Sequence, residues 1–392
     1  MTDGKRTDWF QIEDSPRGHH DRLLGLLGAE TLASTTIGEL SLLTVHKRRD
    51  VTNVLTDTHH FSADVVALTY FPVFGLQPLM SDDGPWRRTV RAELTRCIKA
   101  HYPDRRALTA IVGRVLDDLD ADSCQDLFST VASRISAWVF ATLIGVSPDV
   151  GDSIASSAAD VARFGIAPLN ALRAARRLRS TLLTALDSQA SSSDTGLLAA
   201  LARYVAQGTI SHDRLLDSLL MLALASTETT TAAISAMLYG LLDAKGRGGL
   251  DDRSLKGSLG AEAAAEVLRW EPPVQMTCRR VTEDATVNNT RLRSGSLVLV
   301  HLGAASLDDS SGWVRQPAQF TLDRPWRPPT LAFGTGHHRC PGARLAWSEL
   351  DITAAQFMHR FPNAALSEPD SAGVSGSMLR IAAPLRVMPG PR

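Results

Sequence analysis

Helical spacing of apolar residues dominates the middle of the chain. From Pro85 to about Lys245, apolar residues recur three and four positions apart, as in LTAIVGRVLDDLDA and DLFSTVASRISAWVFATLIGV. This spacing is typical of amphipathic helices. Short strand-like runs between turn residues lie near residues 40–45, 285–287, 296–300 and 379–387,. The pattern predicts a mainly α-helical fold with a smaller β portion, an α+β arrangement.

The same pattern indicates how the two portions are distributed. We expect the helical portion at residues 85–270 and 342–360, and the β-rich portion near residues 38–60, 279–300 and 375–390. The chain shows no repeat and no domain linker, and its one low-complexity tract is the short SQASSSD at 188–194. A chain of 392 residues can bury one large core,. We therefore expect a single domain over residues 1–392.

One predicted helix, at residues 217–242, is apolar almost all round on both sides of a polar centre, STETTT. A helix buried on every face should be central to the fold, and this one is too interrupted to span a membrane. The hydroxyl of Thr229 or Thr230 can bond a carbonyl one turn back, which predicts a bend or an opening of the helix there. A buried Glu228 costs free energy unless it has partners or a function. The centre is either a polar patch satisfied within the helix or a proton-handling site.

The segment AEAAAEVLRWEPPV places Glu266 and Arg269 three positions apart on a strong helix former. The two side chains share a face of the helix and can form an ion pair. Such pairs are common on solvated faces, where they stabilise little. The helix then stops abruptly at Pro272-Pro273.

The stretch FGTGHHRCPGARLA, residues 333–346, surrounds Cys340 with three glycines, a proline and two histidines, and then becomes helical. A lone cysteine is usually an inert buried thiol, but that interpretation leaves the glycines unexplained. A cysteine just before a helix can be stabilised as a thiolate by the helix dipole and the free amides. We expect Gly334, Gly336 and Gly342 to allow close backbone approach and positive φ.

Composition excludes several classes of function. Lys and Arg total 41 against 42 Asp and Glu, for a net charge of -1, so no global field attracts nucleic acid or an anionic membrane. The N-terminus lacks a signal-peptide pattern, and no segment has the ~20 apolar residues of a bilayer span. Four cysteines without a CxxC pair argue against disulfides and structural zinc,. We expect a cytoplasmic protein with neither nucleic acid nor membrane as partner.

Taken together, these stretches resemble the cytochrome P450 family of haem-thiolate monooxygenases. Three family motifs carry the likeness: Phe-x-x-Gly-x-x-x-Cys-x-Gly at Phe333, Gly336, Cys340 and Gly342; Glu-x-x-Arg at Glu266 and Arg269; and Ala-Gly-x-(Asp/Glu)-Thr at Ala225, Glu228 and Thr229. Ser226 stands where the family usually has glycine. Weaker resemblances in VLTDTHHFS, DGPWRRTVR and PAQF before DRP extend the likeness over nearly the whole chain.

The resemblance implies the cytochrome P450 fold, with haem b held between the long central helix and the cysteine loop-helix. Cys340 is then the axial ligand of the haem iron, and the Glu266–Arg269 pair is structural. The other residues implied to bind haem are Phe333, Gly334, Gly342 and Ala225 and the propionate partners His338, Arg279, Arg91 and Arg87. Arg87 stands where many relatives have histidine. Glu228, Thr229 and Ser226 are implied to be catalytic, delivering protons during the reaction with O2.

The resemblance also implies a reaction and its partners. We expect hydroxylation or epoxidation of a small or medium organic substrate, as in secondary-metabolite biosynthesis. Electrons would come from NAD(P)H through ferredoxin reductase and ferredoxin to a monomeric enzyme. A basic set fits an acidic ferredoxin: Arg87, Arg88, Arg91, Arg96, Lys99, Arg339 and Arg344. The expected pocket residues are Val65, Leu68, Phe71, Phe74, Leu224, Val274, Met276 and Met378.

Three other functions remain open at this point. The same family chemistry can give a non-hydroxylating oxidation, such as desaturation, C–C or C–N coupling or ring formation. A haem gas sensor or carrier would have no need of the Glu228-Thr229 pair. An enzyme with a thiol nucleophile would contain no stoichiometric haem.

Overall fold

The computed structural model describes the greater part of the chain, namely residues 7–8, 16–37, 40–65, 85–163, 167–190, 197–208, 210–250, 259–309, 316–324, 329–368, 374–375 and 379–390. Within these residues the helices are α1 (Pro16–Leu27), α2 (Arg48–Thr56), α3 (Pro85–Ala100), α4 (Arg105–Asp117), α5 (Ser133–Ile144), α6 (Pro148–Ala162), α7 (Pro168–Ala190), α8 (Leu197–Ala206), α9 (His212–Gly246), α10 (Leu259–Trp270), α11 (Leu302–Leu307) and α12 (Ala343–Arg360). A π-helical turn spans Phe128–Ala132, and a 3₁₀ turn spans Gly336–His338.

The strands are short and lie mostly towards the two ends of the chain. They are β1 (Thr7–Asp8), β2 (Ala33–Ile37), β3 (Leu40–Val45), β4 (Phe61–Ser62), β5 (Gln125–Asp126), β6 (Met276–Val281), β7 (Ala285–Val287), β8 (Thr290–Leu292), β9 (Leu297–His301), β10 (Ala365–Leu366), β11 (Val374–Ser375), β12 (Ile381–Ala382) and β13 (Arg386–Met388). The prediction of a mainly α-helical fold with a smaller β portion is confirmed.

The main sheet brings the two β-rich parts of the chain together. Its six strands run in the order β1-β2-β3-β9-β6-β4. The central pair, β3 and β9, is parallel with Leu43 opposite Val298, and β6 pairs antiparallel with β9. The sequence pattern missed β5, inside the predicted helical portion, which pairs with β13. A two-residue strand whose partner lies some 260 positions away leaves no local periodicity to detect.

Helix α9 runs without interruption for 35 residues and packs against α5, α6, α10 and α12. Its length and hydropathy would suit a membrane span, but 72% of its apolar window is buried inside the fold. Apolar side chains on every face are therefore explained by neighbouring helices on every side. The polar centre predicted to bend α9 is accommodated within continuous helix, which makes α9 the central support of the helical portion.

A buried polar cluster lies between α1 and the turn after α10, and we call His19, His20, Glu271, Gln275 and Arg380 the α1 cluster. Glu271 is 1% exposed and lies 2.9 Å from Arg380 Nε and 3.2 Å from His20 Nε2. Burial alone would raise the pKa of Glu271, but Arg380 and the two histidines outweigh it and lower that pKa to about 2. Burial lowers the pKa of His19 to about 4. The α1 cluster therefore contains a permanent carboxylate and a neutral histidine.

The first prediction concerns acid stability. The pKa of His19 is about 4 in the folded protein and roughly 6.5 in the unfolded chain, so the unfolded chain binds more protons between these pH values. Stability therefore falls as the pH drops through this window. Between pH 7 and pH 5 this effect should lower the unfolding free energy of the wild-type protein by about 2 kcal/mol. We expect His19→Gln to lack this part of the decrease, as measured by urea unfolding.

The exposed histidine of α12 supplies the control, because His359→Gln should leave the pH slope unchanged. An identical slope in the wild-type protein and in His19→Gln would contradict the prediction, whatever their absolute stabilities.

Candidate functional site

A cavity of about 410 Å³ lies between α9 and the loop that precedes α12. Its walls come from α3, α9, the turn after α10, strand β6 and residues 332–342. Most of the lining side chains are aliphatic, and the polar ones are few and converge on one region. This combination of apolar walls and a few polar groups is typical of a cofactor or substrate site.

The loop before α12 fixes the position of Cys340. The Cys340 N–H donates to Phe333 O at 2.8 Å, which closes the loop on itself. Gly336 has φ +69, and a side chain there would lie 2.6 Å from Leu55 O at the end of α2. Only glycine permits this close approach. The expectation of positive φ is met at Gly334 and Gly336 but is wrong for Gly342, whose φ of -81 suits its position as the N-cap of α12.

Cys340 lines the cavity and is exposed to it. The protein atoms packed around the thiol raise its pKa by desolvation, while the N–H groups of Gly342 and Ala343 and the charges of Arg91 and Arg339 act in the opposite direction. The donors favour the thiolate but do not outweigh the desolvation. A metal ion bound to sulfur deprotonates the thiol outright. These surroundings are compatible with Cys340 as a thiolate ligand of a metal in the cavity.

Three basic side chains that the sequence assigned to haem propionates line the same cavity, namely Arg91, Arg279 and His338. Arg279 is 5% exposed, and its Nη1 donates to Cys278 O at 2.8 Å and to Thr277 Oγ1 at 3.2 Å. Arg91 Nη2 donates to Arg339 O at 2.7 Å. The fourth, Arg87, belongs to α3, but its side chain is outside the described part of the structure. One cysteine and three basic side chains around an apolar cavity fit haem b and its two carboxylates.

Helix α9 contributes Ala225, Ser226 and Thr229 to the lining of the cavity. Ala225 is exposed to the cavity although most of this helix is buried. The Thr229 hydroxyl donates to Ala225 O at 2.6 Å, one turn back, as the sequence predicted. The small side chain of Ala225 leaves space in the cavity next to the helix. Thr229 places a hydroxyl group beside that space.

Glu228 faces a different part of the protein from Thr229. It is absent from the described residues that line the cavity, and the charges acting on it are Arg163 and Asp160, at the end of α6. Burial is the main cause that raises the pKa of Glu228 to about 7, with Arg163 opposing and Asp160 adding to the shift. The three predicted catalytic residues are thus adjacent in sequence but divided between two faces of α9.

The predicted pocket residues are only partly brought together. Leu224, Val274 and Met276 line the cavity. Val65 is buried beside β4 but is absent from the described lining. The remaining predicted pocket positions, Leu68, Phe71, Phe74 and Met378, lie outside the described residues.

Two residues near Cys340, Tyr102 and Glu349, were not predicted as site residues from the sequence. The Tyr102 hydroxyl donates to Pro341 O at 2.5 Å, and burial followed by the nearby Cys340 raises the Tyr102 pKa to about 12. Glu349 of α12 is 4% exposed in the cavity wall, and burial raises its pKa well above the ordinary range. Glu349 had a detectable signal, because it is a carboxylate among the mostly apolar positions of LAWSELDITAA, and Asp351 is the other one. Tyr102 had none.

The Glu266–Arg269 pair is buried, with Glu266 0% and Arg269 3% exposed. The two groups meet through two hydrogen bonds of 2.9 and 2.7 Å. Arg324 adds a second cation, with Nε 2.9 Å from Glu266 Oε1, and the Thr321 N–H donates to the same oxygen at 3.2 Å. The pair is therefore not a solvated one. The DRP segment, which contains Arg324, is part of the family resemblance, but the sequence alone did not indicate that Arg324 joins this pair.

Comparisons with known proteins agree with this geometry. The model of the family "Cytochrome P450" matches residues 262–372, which hold both the Glu266–Arg269 pair and the Cys340 loop. The putative cytochrome P450 133B2 of Xylella fastidiosa (strain Temecula1) is 28% identical over 66% of this chain and 65% of its own length. The biotin biosynthesis cytochrome P450 of Bacillus subtilis (strain 168) is 29% identical over 66% and 65%. The matching family model and these relatives identify the chain as similar to the cytochromes P450.

Solved structures of cytochromes P450 show the same fold over nearly the whole of this chain. The cytochrome P450 enzyme CxnD, for C–S bond formation in chuangxinmycin biosynthesis, superposes with a TM-score of 0.86 at 18% identity, covering 100% of this chain and 99% of that one. The tirandamycin C-bound P450 monooxygenase TamI gives 0.82 at 22% identity, covering 94% and 96%. At these identities the likeness concerns the fold. The sequence matches to the two curated relatives span just under two thirds of their length.

The second prediction tests the role of Arg324. Removal of one partner of a buried ion pair leaves an uncompensated charge, so Arg324→Ala should lower the unfolding free energy by about 3 kcal/mol and reduce haem content. The matched control is Arg291→Ala, which breaks an exposed pair with Asp284 and should cost less than about 1 kcal/mol. Urea unfolding and haem-to-protein ratios give both quantities. Equal effects of the two variants would contradict a structural role for Arg324.

Proposed function

We propose that this protein is a cytochrome P450, a haem-thiolate monooxygenase that oxidises a small or medium organic substrate with O2. The observation that carries the proposal is that Cys340 and Thr229 line one mostly apolar cavity together with Arg91, Arg279 and His338. Cytochromes P450 are monooxygenases that contain haem. In this proposal the protein is a single-domain, cytoplasmic monomer that receives electrons from NAD(P)H through ferredoxin reductase and ferredoxin.

Each residue at the haem side has a separate task in this proposal. Cys340 binds the iron, and the N–H groups of Gly342 and Ala343 moderate the charge on its sulfur. Arg91, Arg279 and His338 hold the propionates. When bound through a cysteine thiolate, haem supplies the activation of O2 and the cleavage of its O–O bond. The chain's own contribution is to keep the sulfur dry and correctly placed.

Proton supply belongs to α9 in this proposal. Thr229 holds a proton at Oγ1 beside the cavity, and Ser226 offers a second hydroxyl on the same face. Glu228, with a pKa of about 7, exchanges protons near neutral pH, which is the range in which an acid–base group is most effective. Its position near Arg163 makes Glu228 the group that takes up protons and Thr229 the group that presents them.

The cavity walls narrow the class of substrate. Leu224, Val274 and Met276 form apolar surface near the α9 face, which favours a substrate with a mainly apolar outline. Two relatives carry biosynthetic names, the biotin biosynthesis P450 and the pulcherriminic acid synthase of Bacillus subtilis (strain 168), the latter 30% identical over 44% of each chain. These names support a role in the biosynthesis of a small molecule, and we propose secondary metabolism.

The third prediction tests iron ligation. The haem-loaded ferrous protein should give, with carbon monoxide, the red-shifted Soret band of a thiolate-bound haem, and Cys340→His should lose that shift. Cys278→Ser removes another cysteine that lines the cavity and should keep it. An unshifted band in the intact protein would falsify the assignment of Cys340.

The fourth prediction concerns proton supply. Because positioned proton transfer is worth about 10²- to 10⁴-fold in such a step, Thr229→Ala should lower the product formed per NADH consumed and raise the release of hydrogen peroxide. Haem content and substrate binding should not change. If Ser226 shares the task, Ser226→Gly with Thr229→Ala should be more uncoupled than Thr229→Ala alone.

A neighbouring threonine of the same helix provides the control. The Thr227 hydroxyl makes the same bond to the carbonyl one turn back, to Ala223 O at 2.9 Å, but Thr227 is buried away from the cavity. Thr227→Ala should therefore keep normal coupling. Normal coupling in Thr229→Ala would show that its hydroxyl is structural, and a protein without reductant-dependent turnover would be a haem carrier or sensor.

The fifth prediction concerns the electron-transfer partner. Arg96 and Lys99 are exposed on α3, the helix that also brings Arg91 to the cavity. Attraction between exposed charges is screened within about 8 Å at physiological ionic strength. Arg96→Glu with Lys99→Glu should therefore slow reduction by an acidic ferredoxin and flatten its salt dependence, measured by stopped-flow. The same change at Arg173 and Arg176 of α7 should have no effect, and equal rates in both double variants would place the docking surface elsewhere.

A further inference from the structure

Two histidines and a glutamate lie close together beside β4, the last strand in the order of the main sheet. His59 and His60 directly precede β4, and Glu283 follows β6, with which β4 pairs. Thr282 extends this pairing, because its N–H donates to His60 O at 2.9 Å and its hydroxyl donates to His59 O. Two segments 223 positions apart are thereby fixed next to each other. Their backbone bonds hold the three side chains at one place on the surface.

The distances between the three side chains suit ligands of a metal ion. One ring nitrogen of each histidine and one carboxylate oxygen of Glu283 lie within 4.8 Å of one another. His59 Nε2 is 3.4 Å from Glu283 Oε2. Two ligand atoms bound to one tetrahedral zinc ion are about 3.4 Å apart, so this pair already has the required separation. The nitrogen of His60 lies within 4.8 Å of both atoms and would move closer on binding an ion.

Asp57 holds His60 in an orientation that suits metal binding. Asp57 Oδ1 accepts the N–H groups of His59 and His60 at 3.1 Å each, and Oδ2 lies 2.7 Å from His60 Nδ1. A carboxylate at this position keeps the ring proton on Nδ1 and leaves a lone pair on Nε2. Most metal-binding histidines are oriented by such a partner.

The other two ligands are accessible. The side chains of His59 and Glu283 are 68% and 62% exposed. Among the described residues, Glu283 has no lysine or arginine at ion-pair distance that would compete with a bound cation. An ion can reach these two side chains directly from solvent, and water can complete its coordination.

From these contacts the geometry points to a surface site for one divalent transition-metal ion such as Zn²⁺, with His59, His60 and Glu283 as ligands and Asp57 as the residue that positions His60. Imidazole with carboxylate suits Zn²⁺, whereas Mg²⁺ and Ca²⁺ prefer oxygen ligands alone. A bound ion would cross-link the segment after α2 to the segment after β6. This site lies outside the cavity and does not depend on the proposed oxidation.

The test uses the haem-loaded protein, in which Cys340 is occupied, with Cys124→Ser as the parent to remove an exposed thiol. Titration calorimetry with ZnCl2 should show about one equivalent bound, and MgCl2 should give no binding. His59→Ala and Glu283→Gln should each weaken zinc binding at least tenfold. Asp57→Asn should weaken it about tenfold, the effect typical of residues that orient a ligand. His359→Ala, an exposed histidine on α12, should leave it unchanged.

A second readout is thermal stability, because an ion that binds only the folded state raises Tm. Zinc should raise the Tm of the parent and of His359→Ala, but not that of His59→Ala. Both ligand substitutions are at exposed positions, so the variants are expected to fold. Absence of zinc binding in the parent, or equal affinity in the parent and in Glu283→Gln, would overturn the site.

Discussion

The walls of the cavity depend on the neutralisation of one carboxylate that has no access to water. Glu266 is fully buried, and an isolated charge there would be strongly unfavourable,. Arg269 from the same helix and Arg324 from a later segment together neutralise it. Both arginines also donate to backbone carbonyls of residues 317–319. The ion cluster therefore ties the segment that leads towards the Cys340 loop to helix α10.

A second carboxylate on the same part of the chain acts in a similar way. Glu271 follows the last turn of α10 and is neutralised by Arg380, whose own N–H donates to Pro273 O at 2.7 Å. Next to these residues, Val274 and Leu379 form an isolated β-bridge, and both line the cavity. Helix α10 thus anchors two late segments of the chain through two buried carboxylates five positions apart. One segment leads to the cysteine, and the other forms part of the substrate wall.

Opposite these anchors, α9 separates functions that are adjacent in the sequence. Successive residues of a helix point about 100° apart, and of this pair Thr229 lines the cavity whereas Glu228 does not. The acid lies towards Arg163, where burial places its pKa near neutrality, and the alcohol lies at the cavity. In the proposed reaction, a proton would enter from the Glu228 side of the helix and be presented by Thr229 at the cavity. Ser226, where the family usually has glycine, would add a hydroxyl on the cavity side.

The sequence by itself determined the resemblance to the cytochromes P450, the helical character of the middle of the chain and several residues that line the cavity, Cys340 among them. Those signals are local: helical periodicity over α9, a three-residue spacing in Glu266–Arg269, and glycines that permit the loop around Cys340. Only the tertiary structure decided the partners that come from distant segments, such as Arg324 for Glu266, Arg380 for Glu271 and Tyr102 for the Pro341 carbonyl. It also decided that Glu228 turns away from the cavity and that burial outweighs the amide donors at Cys340. Burial and long-range contacts arise from packing between segments tens to hundreds of residues apart, and no local pattern records them.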